Sequence, residues 1–450
     1  MSKKEKEADL QDFLLSKMTQ KAPRSAEWGT YEISRSNKKI MSVIKYVLTT
    51  GITTFDDVVG GFPIGRIVEL FGLESSGKTA MALLAAARAK QGFISEVIRA
   101  EDGTLSYRPL NPDEFEVAVL YIDNEGSLDD DNKIKINGQE LDVITGRCDT
   151  IEGVFKMTDD FLDGAELKNE MDDRSDKPGK LRFYIIVVDT IASTSSREDL
   201  AQAWGKRDYP RVPGEISKGF TKLTRRLSKN NACMICTNQV RTAYSAVQES
   251  RGKRGSVQSW LYSSPGGLSL RFYASHRVYV QTLNTIYRLT PEAKFAAGFQ
   301  IGFRTLKNRL RSPLREGRMV LLFDKVQGGF HNDFSLLENL IYTKFIEVAA
   351  KEKGTDFVCK FSRHGVVPTT FGEAQVKTTL DEDDDAPTPR RGSRKDPGFK
   401  FRAEWPKFYA DHKADIDKLW QAAVDFTFNT PGLDGIVVDE DDLEQADEEA

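Results

Sequence analysis

Gly72-Leu-Glu-Ser-Ser-Gly-Lys-Thr79 places glycine, lysine and a hydroxyl at the spacing that wraps a polyphosphate. Gly72 and Gly77 let backbone N–H groups turn inward around the anion, and Glu74, Ser75 and Ser76 fill the loop between them. Lys78 then reaches the terminal phosphates, and Thr79 offers its hydroxyl to Mg2+. Ala80 continues into an Ala- and Leu-rich run whose helical N-terminus would face the negative charge. Such a site needs a carboxylate near the metal, and Tyr184-Ile-Ile-Val-Val-Asp189 supplies one at the end of a buried strand. Thr79 and Asp189 are therefore the candidate metal residues, Asp189 acting through bound water. Val119-Leu-Tyr-Ile-Asp-Asn-Glu125 ends in another acid. If its strand lay beside the strand entering the phosphate loop, Glu125 would face the terminal phosphate and polarise water; from spacing alone it is equally an ordinary strand-end acid. Cys233 and Cys236 form a C-x-x-C, but the pair sits in an apolar run and no second pair exists, so core thiols are preferred over a redox or metal half-site.

These residues need strands to hold them. Strand candidates are 66–71, 117–123, 183–189, 232–238, 268–281 and 318–323, alternating with helical patterns between about 40 and 340. The expected fold is an α/β P-loop ATPase core, its central and mostly parallel sheet flanked by helices on both faces. Residues 41–335 would form that core. Residues 1–40 read as an arm for oligomerisation, with Leu10, Phe13, Leu14 and Met18 at helical spacing. Residues 336–430 would make a small C-terminal domain, interrupted near 378–400 by a charged, Pro-containing linker and carrying a helical unit at 403–426 with Trp405, Phe408, Leu419 and Trp420 as its core. Residues 431–450 read as an acidic, disordered tail. Residues 93–116 and 163–180 read as polar insertions on the surface.

Hydrophobic residues at 39% against 29% charged allow a large core and exclude wholesale disorder. No apolar run is long enough to span a membrane, and the charged N-terminus lacks the apolar stretch of a secretory signal, so a cytoplasmic location is expected. The net charge of −4 hides an uneven distribution: acid gathers at 381–385 and beyond 439, and the remainder is net basic.

Together the motifs resemble the bacterial RecA recombinases and their phage counterparts. Gly65-Arg-Ile-Val-Glu-Leu-Phe-Gly-Leu-Glu-Ser-Ser-Gly-Lys-Thr79 is similar to the phosphate-loop segment of that family, Tyr121-Ile-Asp-Asn-Glu125 to the strand of its catalytic glutamate, and Ile185–Asp189 to its metal-site strand. Thr237-Asn-Gln-Val-Arg241, Gly266-Gly-Leu-Ser-Leu-Arg-Phe-Tyr-Ala-Ser275 and Leu306-Lys-Asn-Arg309 resemble further family stretches, in the family's order. The resemblance implies ATP and Mg2+ as cofactors, Glu125 as activator of the attacking water, and Gln239 as sensor of the γ-phosphate. It implies that Lys307 and Arg309 act in trans on the neighbouring protomer's nucleotide, that Arg271 and Phe272 lie at the subunit interface, and that Asp129 sits near adenine. Without the resemblance, Gln239 is a capped strand end, Lys307 and Arg309 a solvated basic face, and Phe272 plain core.

The family's two DNA loops would be 195–211, with Arg197, Lys206, Arg207 and Arg211, and 241–265, with Arg241, Arg251, Lys253 and Arg254, followed by Gly266 and Gly267. Cations mixed with Trp204, Tyr209, Trp260 and Tyr262 suit single-stranded DNA, pairing with phosphate and stacking on bases. The implied activity is filament formation on single-stranded DNA with homologous pairing to double-stranded DNA, helped by a single-strand-binding protein and a loading mediator. A ring-forming helicase and a non-catalytic mediator on the same fold are the alternatives. Gly126 and Asn132 stand where the bacterial family has other residues, which points toward a phage-type member.

Overall fold

The computed structural model describes residues 44–100, 105–126, 134–136, 139–173, 180–198, 212–242, 262–263, 267–289, 294–323, 329–343, 345–350, 357–361 and 398–429. In chain order come β1 (Tyr46–Leu48), α1 (Thr53–Val59), β2 (Phe62–Pro63), β3 (Ile67–Gly72), α2 (Lys78–Lys90), β4 (Ile94–Arg99), β5 (Leu105–Pro109) and β6 (Phe115–Asp123). Next are β7 (Ile134–Ile136), β8 (Gln139–Leu141), β9 (Ile144–Gly146), α3 (Ile151–Asp173), β10 (Leu181–Asp189), α4 (Val212–Lys229), β11 (Ala232–Gln239), β12 (Arg241–Thr242) and β13 (Tyr262–Ser263). The rest are α5 (Gly267–Tyr273), β14 (Ala274–Leu289), β15 (Lys294–Lys307), β16 (Glu316–Leu322), β17 (Gly329–His331), α6 (Asn332–Tyr342), β18 (Ile346–Ala350), β19 (Phe357–Phe361) and α7 (Gly398–Val424).

The central sheet has the order β17-β16-β15-β14-β3-β11-β10-β6-β9. From β14 through β9 all pairings are parallel, and β15 to β17 add an antiparallel edge. Side chains alternate between two cores, as the strand period of two requires. Phe183, Ile185 and Val187 of β10 pack with α1, α2, α6 and α7; Tyr184, Ile186 and Val188 pack with α3, α4 and α5. The sheet is thus covered on both faces, which is why its strands read as continuous apolar runs.

Several expectations need correction. The 268–281 strand begins as α5 and turns to strand at Ala274, because Leu270 anchors a helical turn in the core. Residues 93–116 are not surface elaboration: β4 and β5 extend the β1–β2 sheet, with Ile94, Leu105 and Phe115 buried. Residues 163–173 are the end of α3, where Asp163 and Glu166 receive Arg226 from α4. Cys233 and Cys236 are both buried, but three residues apart on β11 they point into opposite cores, so they cannot share a metal. Arg66 precedes β3, and α7 begins at Gly398, earlier than the expected 403. Trp405, Leu419 and Trp420 are buried as expected, but in the core of the main sheet beside Phe55 and Leu336. The side chain of Phe408, residues 1–40 with the arm, the linker near 378–400 up to residue 397, and the tail after 430 lie outside the described residues, and residues 398–400 of that linker are the start of α7.

Candidate nucleotide site

Parallel pairing brings the carboxyl ends of four strands to one edge. Asp123 stands level with Asp189, and Gln239 level with Gly72. Ligands of parallel α/β sheets bind at this edge. The β3 strand lies next to β11, then β10, then β6, so the Glu125 strand is not beside the phosphate-loop strand: two strands intervene. Glu125 still reaches the site, because the chain after β6 folds back over β10. The Asn124 N–H donates to Asp189 O at 2.7 Å, the Gly126 N–H to Asp123 Oδ1 at 2.9 Å, and the Cys148 N–H to Asn124 Oδ1 at 3.0 Å. Gly126 sits at φ +72°, a turn that glycine makes without strain. Glu125 is exposed at the tip of this turn.

The phosphate loop has the shape its residues predict. Ser75 (φ +55°) and Gly77 (φ +89°) carry left-handed backbone, and Gly77 starts α2 with no side-chain cap on the helix N-terminus. Uncapped N–H groups and the helix dipole are what an anion needs. There is no room at the loop's entry: a Cβ on Gly72 would stand 2.0 Å from Val280 O. Thr282 Oγ1 donates to Ser75 O at 2.9 Å and holds the loop from β14. Lys78 Nζ donates to Leu73 O at 2.6 Å and Ser76 Oγ at 3.3 Å, so the ammonium lies over the loop. Burial lowers its pKa, opposed by the charges of Glu125, Asp189 and Glu74 in that order. Ser76 is buried, whereas Glu74 and Ser75 are exposed and Thr79 and Ala80 half-buried at the start of α2. The residues fit a magnesium-bound triphosphate.

Asp189 is held by partners that the motif does not name. Tyr121 Oη donates to its Oδ2 at 2.8 Å, and Thr237 Oγ1 donates to its Oδ1. Residues 121, 189 and 237 all lie on the α2 side of the sheet, which makes the contacts possible. Burial and the nearby Asp189 charge push the Tyr121 phenol upward, so it stays protonated and donating. The signal for both partners was odd–even parity in adjacent strands ending at one level.

The remaining candidates lie elsewhere. Gln239 is half-buried on the phosphate side of β11. Lys307 Nζ donates to Arg271 O at 2.9 Å and Phe272 O at 2.8 Å, tying the end of β15 to α5. Phe272 is 69% exposed, so it is not core. Arg309 is exposed. Burial first, then the Arg309 charge, lower the pKa of Arg66 at the entry of β3. Arg309 is thus at the opposite end of β3 from the phosphate loop, and Arg271, Phe272 and Lys307 are not brought to this protomer's own site. Arg197 is exposed, with its N–H on the Glu152 carboxylate at 3.1 Å. β12 and β13 pair Arg241 with Ser263 and close the base of the second loop, and Gly267 starts α5. Asp129, Lys206, Arg207, Arg211, Arg251, Lys253, Arg254 and Gly266 lie outside the described residues. No helix among the described residues is long and apolar enough to cross a membrane.

The same segments are matched by a model of the RecA N-terminal domain, over residues 26–108 and 170–327. Glu125 falls between the two matched stretches. Among similar proteins, Protein RecA of Treponema pallidum is 27% identical over 67% of this chain and 61% of its own length. Protein RecA of Treponema denticola is 27% identical over 62% and 55% respectively, and Protein RecA of Thermus thermophilus 27% over 62% and 67%. The chain thus spans under two thirds of the two treponemal proteins. With the phosphate loop, the Asp189 strand and the Gln239 strand all inside the matched stretches, and the sheet order built around them, the chain belongs to the RecA family.

Proposed function

We propose that this chain is an ATP-dependent DNA recombinase that forms filaments on single-stranded DNA and carries out homologous pairing and strand exchange. The observation that carries the reading is the position of Arg309 and Lys307. Lys307 stands level with Arg277 and through it with Glu69, in the middle of β3, and Arg309 follows toward the entry of β3, whose six residues span about 20 Å of extended chain. Set away from the phosphate loop of their own protomer, they would act on charge at a nucleotide across a seam between protomers.

Gly72, Gly77 and the N–H groups entering α2 would hold the phosphates of ATP, with Lys78 on the terminal oxygens. Thr79 and Asp189 would hold Mg2+, Asp189 fixed for that role by Tyr121 and Thr237. When bound, the nucleotide and metal supply an activated phosphoanhydride. Glu125 orients and polarises the attacking water, and Arg309 and Lys307 of the adjoining protomer stabilise developing charge. Gln239 faces the terminal phosphate and starts the strand end that leads to the second DNA loop, so nucleotide state would set the grip on DNA. Arg197, Lys206, Arg207 and Arg211 of the first loop, with Arg241, Arg251, Lys253, Arg254, Gly266 and Gly267 of the second, would bind phosphate while bases pair with bases. Asp129 would lie by the adenine, and Arg271 and Phe272 in the seam. The work would be done in the cytoplasm, during recombination and repair, alongside a single-strand-binding protein and a loading mediator.

Electron microscopy and a strand-exchange assay test the reading together. With ATP and single-stranded DNA the protein should form helical filaments and exchange strands; Glu125→Gln should form filaments that do not turn over. Duplex unwinding of fixed polarity, or DNA binding indifferent to ATP, refutes it.

A further inference from the structure

β3 carries a carboxylate where its neighbours carry hydrocarbon. Glu69 stands between Val68 and Leu70 and is fully buried. Val68 and Leu70 pack on the α2 side, and Ile67 on the α3–α5 side, so Glu69 shares the face opposite the nucleotide. A carboxylate buried there without partners would be prohibitively costly. Glu69 has partners from the strands on either side. Asn238 Nδ2 of β11 donates to Oε1 at 3.0 Å, and Arg277 Nε of β14 donates to Oε2 at 2.5 Å.

Those strands end in different places. Asn238 precedes Gln239, and its Oδ1 accepts the Gln239 N–H at 3.0 Å. The two residues point to opposite faces of the sheet: Gln239 toward the phosphates, Asn238 toward Glu69. Arg277 stacks over Phe71, the last residue before Gly72, at 4.6 Å from the ring centre, and stands in register with Lys307. Burial lowers the pKa of both Lys307 and Arg271, and the Arg277 charge lowers each further. Glu69 is the counter-charge to this group, since it raises Arg271.

The geometry points to Glu69 as a positioning residue that, through Asn238 and Arg277, links the phosphate-facing Gln239 of a protomer to the Lys307–Arg271–Phe272 surface the same protomer offers to the next. It rests on the filament reading above and adds a direction to it: occupancy of one site sets the cations presented at the adjacent one. A shift of Gln239 moves the Asn238 amide on the other face. Glu69 passes that movement to the guanidinium beside Lys307. A hydrocarbon at position 69 would fill the space but tie neither strand to the other. Coupling of this kind is a free energy between sites and is measured as such.

The test is the ATP dependence of turnover on single-stranded DNA for the full chain, with Glu69→Gln, Asn238→Ala and the double variant. Glu69→Gln keeps the shape and removes the charge; Asn238→Ala cuts only the arm to Gln239 and leaves the ion pair. Each should raise the half-saturating ATP concentration about tenfold and bring the Hill coefficient toward one. Binding of a fluorescent ATP analogue to dilute, DNA-free protein should be unchanged. The double variant should be no worse than the more affected single, because both cut one chain of contacts. If Glu69→Gln does not fold, Asn238→Ala decides alone. Wild-type cooperativity in the folded variants, or losses that simply add, overturns the link while leaving the filament standing. A wild-type chain that never assembles with ATP removes the filament and the link together.

Discussion

Mixing two inactive variants should restore turnover, and the amount restored can be stated in advance. Glu125→Gln keeps the phosphate loop and its own Arg309 but cannot activate water. Arg309→Ala keeps Glu125 but offers nothing to its neighbour. β3 separates the two ends of each protomer by about 20 Å, so a competent seam needs Glu125 from one chain and Arg309 from the next. Each variant alone should lose about 10³-fold or more in turnover, the range for a charge-stabilising arginine supplied in trans. In an equal mixture with random head-to-tail order, about one seam in four joins an intact Glu125 to an intact Arg309. Steady-state ATP hydrolysis on single-stranded DNA should therefore recover to about a quarter of the wild-type rate, and should vary with the mixing ratio as the product of the two fractions. If Arg309 instead served its own site, every chain with Glu125 would lack the arginine and the mixture would stay inactive. No recovery at any ratio, with mixed filaments visible by microscopy, refutes the trans assignment.

Other outcomes follow from the packing. Gly72→Ala puts a methyl 2.0 Å from Val280 O; the loop and β14 must part by on the order of 1 Å, which should cost about a hundredfold in turnover and also lower the melting temperature, read by thermal unfolding beside the ATPase assay. Trp420→Phe removes the donor that Trp420 Nε1 gives Asp57 Oδ2 at 2.8 Å and should destabilise the chain by about 1–3 kcal/mol in urea titration. Burial raises the Asp56 carboxyl to about 7, against opposing hydrogen bonds from Thr50 and Gly51. Its folded pKa lies above its unfolded value, so the stability it contributes is complete below about pH 4 and is lost as pH rises through about 7. The melting temperature should fall between about pH 4 and 7 and level off above that, and Asp56→Asn should flatten that slope.

The fold and the phosphate site were legible because their signals are local. A complete loop motif sat between an apolar strand and an alanine-rich helix, and Asp189 and Gln239 ended apolar runs. What stayed hidden depends on which strands are neighbours. Sequence order could not place β10 and β11 between β3 and β6, so whether Glu125 neared the loop stayed open; it arrives by a turn over Asp189. Leu268 to Tyr273 carries too short an apolar run to separate strand from helix, and Leu270 alone decides it. Pro109 hid β5 because it occupies the last position of that strand, where a missing N–H is tolerated. The charges after Asp163 looked like solvated surface until α4 brought Arg226 against them. Glu69, a charge inside an apolar run, was a visible sign of a buried partner that pattern reading passed over.

The contact between Trp420 and Asp57 joins residues 363 positions apart. At the 5–20 residues per second of ribosomal synthesis, about 20–70 s pass between the emergence of α1 and that of the helix that carries Trp420. Through that interval the core that Trp405, Leu419 and Trp420 complete is unfinished, and a nascent chain offers its apolar surface to any other nascent chain nearby. Yield in a heterologous host should therefore depend on holdase chaperones and on slow expression more than on the stability of the finished molecule.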